Sequence, residues 1–403
     1  MLGARLSHVK HPSHAVDAHT SNQIAWTCPP GRSASTLRAA VGHGQGTPSA
    51  REGTPQGRLT AVRALVFDSF GGPLEVREVP APEPPPGGVL VRVAASGICR
   101  SDWHAWQGHD PDVVLPHVPG HELAGTVSVV GAGVRNWRAG DRVTVPFVNA
   151  CGTCAQCAAG EQQVCARQTQ PGFTHWGSLA EFVVLDAADV NLVAVPEELD
   201  LATAAALGCR YATAFRAVVH VAKVRAGEWV AVHGCGGVGL SAVQIAAAAG
   251  ARVIAVDIAT GALDLARALG AEHTVDGRAD VPAAVVELTG GGAHVSLDAL
   301  GAAVTCANSI RCLRPRGRHV QVGLLPPAQG RPEVPMERVI GLELQVLGSH
   351  GMAAHAYPEL FGLIAAGRLD PRPLITRRLA LNDAALALAE VGRQPGIAVV
   401  TSF

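Results

Sequence analysis

Cys151, Cys154, Cys157 and Cys165 place four thiols within one short stretch of chain. In Cys151-Gly152-Thr153-Cys154-Ala155-Gln156-Cys157 the glycine lets the backbone wrap an ion, and four sulfurs suit tetrahedral zinc. An iron–sulfur cluster is less favoured, because the spacing departs from the ferredoxin patterns. A closed shell of four sulfurs leaves no open position, so this centre is read as a brace for its lobe. A second set is dispersed: Cys99, the pair His121-Glu122, and Cys209. Sulfur and imidazole from three residues, with a fourth position open, form the ligand mix of a catalytic zinc. By sequence alone these residues are scattered, and a solitary Cys or His is as readily structural.

A third constellation is Gly234-Cys235-Gly236-Gly237-Val238-Gly239. It follows an apolar run and opens an alanine-rich one, the context in which GxGxxG binds a dinucleotide. The first glycine permits a tight turn, the second lets backbone approach the pyrophosphate, and the third lets helix and strand pack. The helix N-terminus attracts the phosphates. Asp257, eighteen residues beyond Gly239, then caps the next strand, placed to accept hydrogen bonds from the adenosine ribose. Its charge would repel a 2′-phosphate, so NAD is favoured over NADP. Cys235 is read as a small filler.

These groups need elements to position them. Short β-rich runs recur from residue 62 to about 208: Val62 to Phe67, Val89 to Ala94, Ala124 to Val130, Arg142 to Val145 and Phe182 to Leu185. Glycine and proline punctuate them, which reads as a strand-dominated domain. From about 209 to 350 the text becomes strand, glycine turn, helix, strand, with Trp229 to His233, Val238 to Ala249 and Arg252 to Asp257 as one βαβ unit. Val295 to Ala299 and His319 to Val322 are expected as later strands of a parallel doubly wound sheet, and Ala384 to Val391 as a closing helix. Residues 1–61 show no period and are rich in His, Ser, Gly, Pro and Thr, so they are expected to be disordered or to reflect a start codon assigned too early.

Composition narrows the partners. The chain has 403 residues, 16% of them charged, and a net charge of -1, which offers no attraction to nucleic acid or an anionic membrane. No apolar run reaches the roughly 20 residues of a membrane span, and no secretory signal opens the chain. A small-molecule ligand and a cytoplasmic location are expected, with the ten cysteines as reduced thiols.

Over about residues 62–403 the order of these pieces resembles the zinc-containing medium-chain dehydrogenase/reductase family, the alcohol dehydrogenases in particular. Gly97-Ile98-Cys99-Arg100-Ser101-Asp102-Trp103-His104 is similar to the first-ligand motif and Gly120-His121-Glu122 to the second. Leu207-Gly208-Cys209-Arg210-Tyr211-Ala212-Thr213 is similar to the third. The resemblance implies a GroES-like β-rich catalytic domain (62–208 and 351–403, with the structural zinc lobe at 151–165) and a Rossmann domain for NAD (209–350). It implies two zincs per chain, the catalytic one held by Cys99, His121 and Cys209 with Glu122 as an exchanging ligand. Asp102 would orient His121, Ser101 would take the alcohol proton, and His104 would pass it towards solvent. Arg100 would contact the pyrophosphate, and Thr213 would lie near the nicotinamide. The implied reaction is hydride exchange between a primary or secondary alcohol and NAD, in a homo-oligomer, dimer or tetramer.

The chain also departs from the pattern. No lysine follows Asp257, and Ala398 stands where some members carry a phosphate-binding arginine. Trp103, Trp106, Trp137 and Trp176 are candidates for an apolar substrate lining. His109, His117, His175 and His350 receive no role, although His350 lies where the chain re-enters the catalytic domain. A polyol or amino-alcohol dehydrogenase is the alternative enzyme, disfavoured because those members tend to carry a carboxylate where Cys209 stands. A zinc-free quinone or enoyl reductase would lack both cysteine sets. A non-catalytic NAD- and zinc-binding protein is the alternative of a different kind.

Overall fold

The computed structural model describes residues 60–325 and 332–403. Its strands are β1 (Ala61–Val66), β2 (Glu75–Pro80), β3 (Val89–Ile98), β4 (Glu122–Val130), β5 (Arg142–Thr144), β6 (Phe182–Leu185) and β7 (Val193–Ala194). There follow β8 (Trp229–His233), β9 (Arg252–Asp257), β10 (His273–Asp276), β11 (Ala293–Asp298), β12 (Leu313–Gln321), β13 (Gln345–Gly348), β14 (Ile375–Ala380) and β15 (Ile397–Ser402). The expected extension, residues 1–61, lies outside the described residues except for its last two. Ala61 opens β1, and the Thr60 carbonyl accepts the Ala81 N–H.

Six strands form a parallel sheet in the order β10-β9-β8-β11-β12-β13, the doubly wound order, whose direction of winding reverses between β8 and β11. Such a sheet is covered on both faces, which is why its strands read as apolar runs. Val230, Val232, Val253 and Ala255 pack on one side with the helices Gly237–Ala248 and Thr260–Ala268. Ala231, Ile254 and Val256 pack on the other with Val281–Thr289 and Ala303–Arg311. The expected βαβ unit is therefore present, its helix one residue earlier at each end than the text suggested.

A second sheet runs β14-β15-β3-β4-β5-β7, with β6 also paired to β3. All of its pairs are antiparallel except β14 with β15. The last strand thus returns to pair with β3, joining Ala398 to Ile98. β1 and β2 form a separate hairpin, held over this sheet by the Leu65 N–H to the Leu179 carbonyl at 2.8 Å.

Between the sheets lies a helical run that the sequence reading missed. Leu201–Ala206 is α-helical, Leu207–Tyr211 is a π-helical turn, Ala212–Phe215 is α-helical and Arg216–Val221 is again π-helical. The run packs on β3 and β4 at its start and on helix Gly237–Ala248 further along. It is buried on nearly every side over 202–215, so its text lacks the polar stripe that marks a surface helix. Asp200 caps its start, accepting the Thr203 N–H at 3.0 Å. Among the described residues no helix is long and apolar enough to cross a membrane.

Candidate active site

Antiparallel pairing of β3 with β4 sets Gly97 opposite Glu122, so Cys99, just past one strand, comes beside His121, just before the other. The π-helical turn brings Cys209 to the same point. One donor atom each from Cys99, His121, Glu122 and Cys209 lies within 4.8 Å of all the others, and Cys99, His121 and Glu122 are buried. π-Turns recur where a helix must present a functional group.

Asp102 organises this cluster. Its fully buried carboxylate accepts the Cys99 N–H at 2.8 Å, the Gly120 N–H at 3.0 Å and the His121 Nδ1 proton at 2.7 Å. With Nδ1 committed, Nε2 of His121 turns its lone pair to the cluster, where it is buried without a protein partner. Burial alone would lower the His121 pKa, and Asp102 together with Cys99 more than reverses it. Cys99 is held well below the ordinary thiol range, first by a hydrogen bond from the Cys209 thiol, while Cys209 is pushed up by the same contact. A buried imidazole lone pair facing a thiolate and a second sulfur is the donor set that zinc takes.

Glu122 has a partner that the spacing did not reveal. Nε of Arg210 donates to Oε1 at 2.8 Å, its Nη2 donates to Oε2, and the Arg210 N–H also reaches Oε1 at 3.1 Å. Arg210 is itself buried, and its stem lies against the glycine turn, where a Cβ on Gly237 would overlap Cδ. Burial alone would lower the Arg210 pKa, but Glu122 and Cys99 reverse it and hold the guanidinium charged. Burial raises the Glu122 carboxyl, with Arg210 opposing. The signal missed was an arginine directly after a candidate ligand cysteine.

The four-cysteine lobe forms as its spacing predicts. Cys154 lies 3.4 Å from Cys157 and 3.6 Å from Cys165, and Cys151 lies 4.0 Å from Cys157, sulfur to sulfur. Four sulfurs about 2.3 Å from a tetrahedral zinc stand about 3.8 Å apart, so the cage has the size of that ion and none of the pairs is a disulfide. The Thr153 N–H and the Arg167 guanidinium lower Cys151 to about 5, and burial with neighbouring Cys154 pushes Cys157 up to about 12.

At the other end of the site Gly234 has a φ of 89°, which serves the tight turn. A Cβ on Gly239 would overlap the Gly234 carbonyl oxygen, whereas one on Gly236 would meet nothing within 4 Å. The middle glycine thus leaves open space at the helix N-terminus, as a pyrophosphate requires. Asp257 ends β9 half-buried, accepting the Cys235 N–H at 2.6 Å and the Ala259 N–H at 2.9 Å. Its carboxylate therefore shapes the turn as well as facing outward. Cys235 is buried filler, its thiol raised by burial. Sequence reasoning also missed Asp298, at the end of β11 beside the switch point. Its Oδ1 accepts the Leu300 and Gly301 N–H groups at 3.0 Å each, and its Oδ2 accepts from Gln321 at 2.9 Å. It ties the loops after β11 and β12 together beside the glycine turn.

The remaining candidates lie around the cluster. Ser101 Oγ is 3.9 Å from Cys99 Sγ, and His104 is half-buried on the same helix, Arg100–Trp106. Arg100 is exposed, its guanidinium 4.8 Å above Trp103 and donating to the Val391 carbonyl. The Thr213 hydroxyl is buried without a partner, one helical turn beyond Cys209. The tryptophans are taken up elsewhere: Trp106, Trp137 and Trp176 donate to the Gly72, Ala188 and Pro116 carbonyls, and Trp103 packs towards the closing helix Ala384–Ala389. The aromatic rings beside His121 are Phe173 at 5.1 Å and Phe147 at 6.2 Å, with His350 edge-on to Phe147. Isolated phenylalanines carried no motif that could have marked them.

Residues 85–197 match the family pattern of the alcohol dehydrogenase GroES-like domain, and residues 237–366 that of the zinc-binding dehydrogenases. An alcohol dehydrogenase of Geobacillus stearothermophilus is 38% identical over 267 residues, 66% of this chain and 78% of that one. Among solved structures, an NAD-dependent alcohol dehydrogenase is similar with a TM-score of 0.76 and 35% identity, over 85% of this chain and 100% of that one. A protein of Sinorhizobium meliloti 1021 in its NADP-bound form is similar with a TM-score of 0.76 and 32% identity, over 85% of this chain and 99% of that one.

The buried Arg210–Glu122 pair generates a stability prediction. Arg210→Met leaves a carboxylate buried without its cation and is expected to lower unfolding stability by about 3–5 kcal/mol. The double variant Arg210→Met/Glu122→Leu is expected to recover most of the loss. A single variant that unfolds at the wild-type urea midpoint would show that the pair contributes nothing.

Proposed function

The chain belongs to the zinc-dependent alcohol dehydrogenases of the medium-chain dehydrogenase/reductase family, and we propose that Cys99, His121 and Cys209 hold its catalytic zinc. It is an oxidoreductase that exchanges hydride between alcohols and a nicotinamide dinucleotide, giving aldehydes or ketones in the oxidative direction. The observation that carries the site assignment is the buried, unpartnered Nε2 of His121 facing two cysteine sulfurs. Zinc held by Cys99, His121 and Cys209 would supply the Lewis acidity that makes an alcohol oxygen acidic, and a nicotinamide dinucleotide at the glycine turn would supply the hydride acceptor.

In this reading the chain's own residues bind, orient and carry the proton. Asp102 fixes the His121 tautomer. Ser101 accepts the hydroxyl proton beside Cys99, and His104 carries it outward. Phe147 and Phe173 keep the reacting carbon in apolar surroundings, which suits a simple primary or secondary alcohol. Thr213, with its unpartnered hydroxyl, borders the nicotinamide, and Arg100 lies at the pyrophosphate. Glu122 joins the metal only by releasing Arg210, so it is an exchanging neighbour. Cys151, Cys154, Cys157 and Cys165 hold a second zinc that braces their lobe. The catalytic domain comprises 62–208 and 351–403, and the cofactor domain 209–350.

NAD is favoured over NADP because Asp257 stands at the end of β9, even though a similar protein was solved with NADP. A homo-oligomer is supported by apolar side chains exposed on and near edge strand β13: Met336, Ile340 and Val346. The reducing cytoplasm suits the cysteines among the described residues, which are free thiols.

With NAD and a panel of alcohols, NADH absorbance is expected to rise, Cys99→Ser to abolish turnover while remaining folded, and Cys154→Ala to lower thermal stability and zinc content. No turnover with any alcohol or aldehyde at two zincs per chain would leave a non-catalytic binding protein. Asp257→Gly is expected to raise kcat/KM for NADP relative to NAD by at least about tenfold, equivalent to roughly 1.4 kcal/mol. An unchanged ratio would remove Asp257 from cofactor selection. Sedimentation velocity is expected to give a dimer or tetramer, and a monomer at micromolar concentration would refute the assembly.

A further inference from the structure

Near the metal cluster, on the side facing solvent, two histidines meet nitrogen to nitrogen. His104 Nδ1 lies 2.9 Å from His109 Nδ1, with the ring centroids 5.2 Å apart. Both rings stand edge-on to Trp103, at 5.1 and 5.6 Å, and Arg100 covers Trp103. The backbone closes the same loop. The His109 N–H donates to the His104 carbonyl at 2.9 Å, and Gly108 turns the chain with a φ of 73°, in a position where a Cβ would press on the Phe70 ring at 2.8 Å. Two flexible surface side chains would not need this scaffold.

We propose that His109 is the outer proton acceptor of the alcohol oxidation, taking from His104 the proton that His104 receives from the active site and releasing it to water. The proposal rests on the reading of His104 as the group that carries the alcohol proton outward. Two neutral imidazoles facing through Nδ1 hold opposite tautomers: one donates Nδ1–H and the other accepts. With His104 the donor, a proton arriving at its Nε2 forms an N–H bond there. The His104 Nδ1–H bond breaks as a His109 Nδ1–H bond forms, and the His109 Nε2–H proton leaves to water. One proton enters the pair, one leaves, and no electrons move. Both tautomers end inverted, the starting arrangement for reduction, and the exposed pair re-equilibrates with water between turnovers.

The surroundings favour outward passage. His104 is half-buried and His109 exposed. Burial, His109 and the Arg100 guanidinium all disfavour a proton resting on His104, and only Cys99 opposes them. A proton delivered there is therefore passed on, and the acceptor within hydrogen-bond distance is His109.

The test uses the zinc-loaded full-length enzyme. Stopped-flow mixing with NAD and alcohol, in weak buffer with a pH indicator, reads proton release separately from the NADH burst. His109→Gln is expected to slow proton release by about tenfold, less than the roughly 10²–10⁴-fold of a group acting directly on the reacting atoms, because His104 still passes protons to water. A bulky morpholine buffer is expected to restore it in a concentration-dependent way, with zinc content and NADH affinity unchanged, a rescue that a packing role would not give. His104→Gln is expected to be slower still. If His104→Gln is impaired and rescued while His109→Gln releases its proton at the wild-type rate, His109 has no part and the His104 reading stands. If neither variant slows release, both readings fall together. Nitrogen-15 spectra of the histidine-labelled metal-free protein give a check that needs no turnover: opposite tautomers at 104 and 109 are expected, and identical Nε2–H tautomers would overturn the proposal.

Discussion

The arrangement hangs on one buried carboxylate. Asp102 has no access to water, and a charge in that setting costs several kcal/mol unless its oxygens are fully hydrogen-bonded. Its three donors come from two segments: the residue after β3, and the turn before β4, where Gly120 gives its N–H and His121 its ring. Satisfying it forces those segments together, which seats Cys99 against His121 and orients the short helix carrying Ser101 and His104. The cluster of Cys99, His121, Glu122 and Cys209 is therefore positioned in part by a carboxylate that is taken up entirely by its own hydrogen bonds.

A second buried charge pair ties β4 to the helical run that follows it. Arg210 grips Glu122 beside the metal donors and rests its stem on the glycine turn. It does so from the π-helical turn that also carries Cys209. One widened turn of helix thus serves the metal cluster, the carboxylate next to it and the cofactor turn.

Much of this was legible in the text because it rests on spacing. The cysteine lobe, the glycine turn with Asp257, and the alternation of strands each depend on residues close in sequence, and each formed where expected. What was hidden depends on residues far apart. The helical run from 201 to 221 is buried all round and so carries no period. Arg210 finds Glu122 across 88 positions, and Phe147 and Phe173 gain meaning only by standing beside His121. Asp298 and Gln321 meet because their strands are neighbours in a sheet whose order the sequence does not state.

The return of β15 to β3 has a consequence for biosynthesis. β15 follows the whole cofactor sheet in sequence, and it borders the very end of β3 that leads into Cys99. During translation the parallel sheet and the cysteine lobe emerge from the ribosome while β3, already able to pair with β4 and β6, still lacks β15 along its other edge beside Cys99. That edge stays open until β15 has been made, and contacts of such long sequence separation form slowly. The nascent protein can thus assemble its parallel sheet early, while the antiparallel sheet waits for β15.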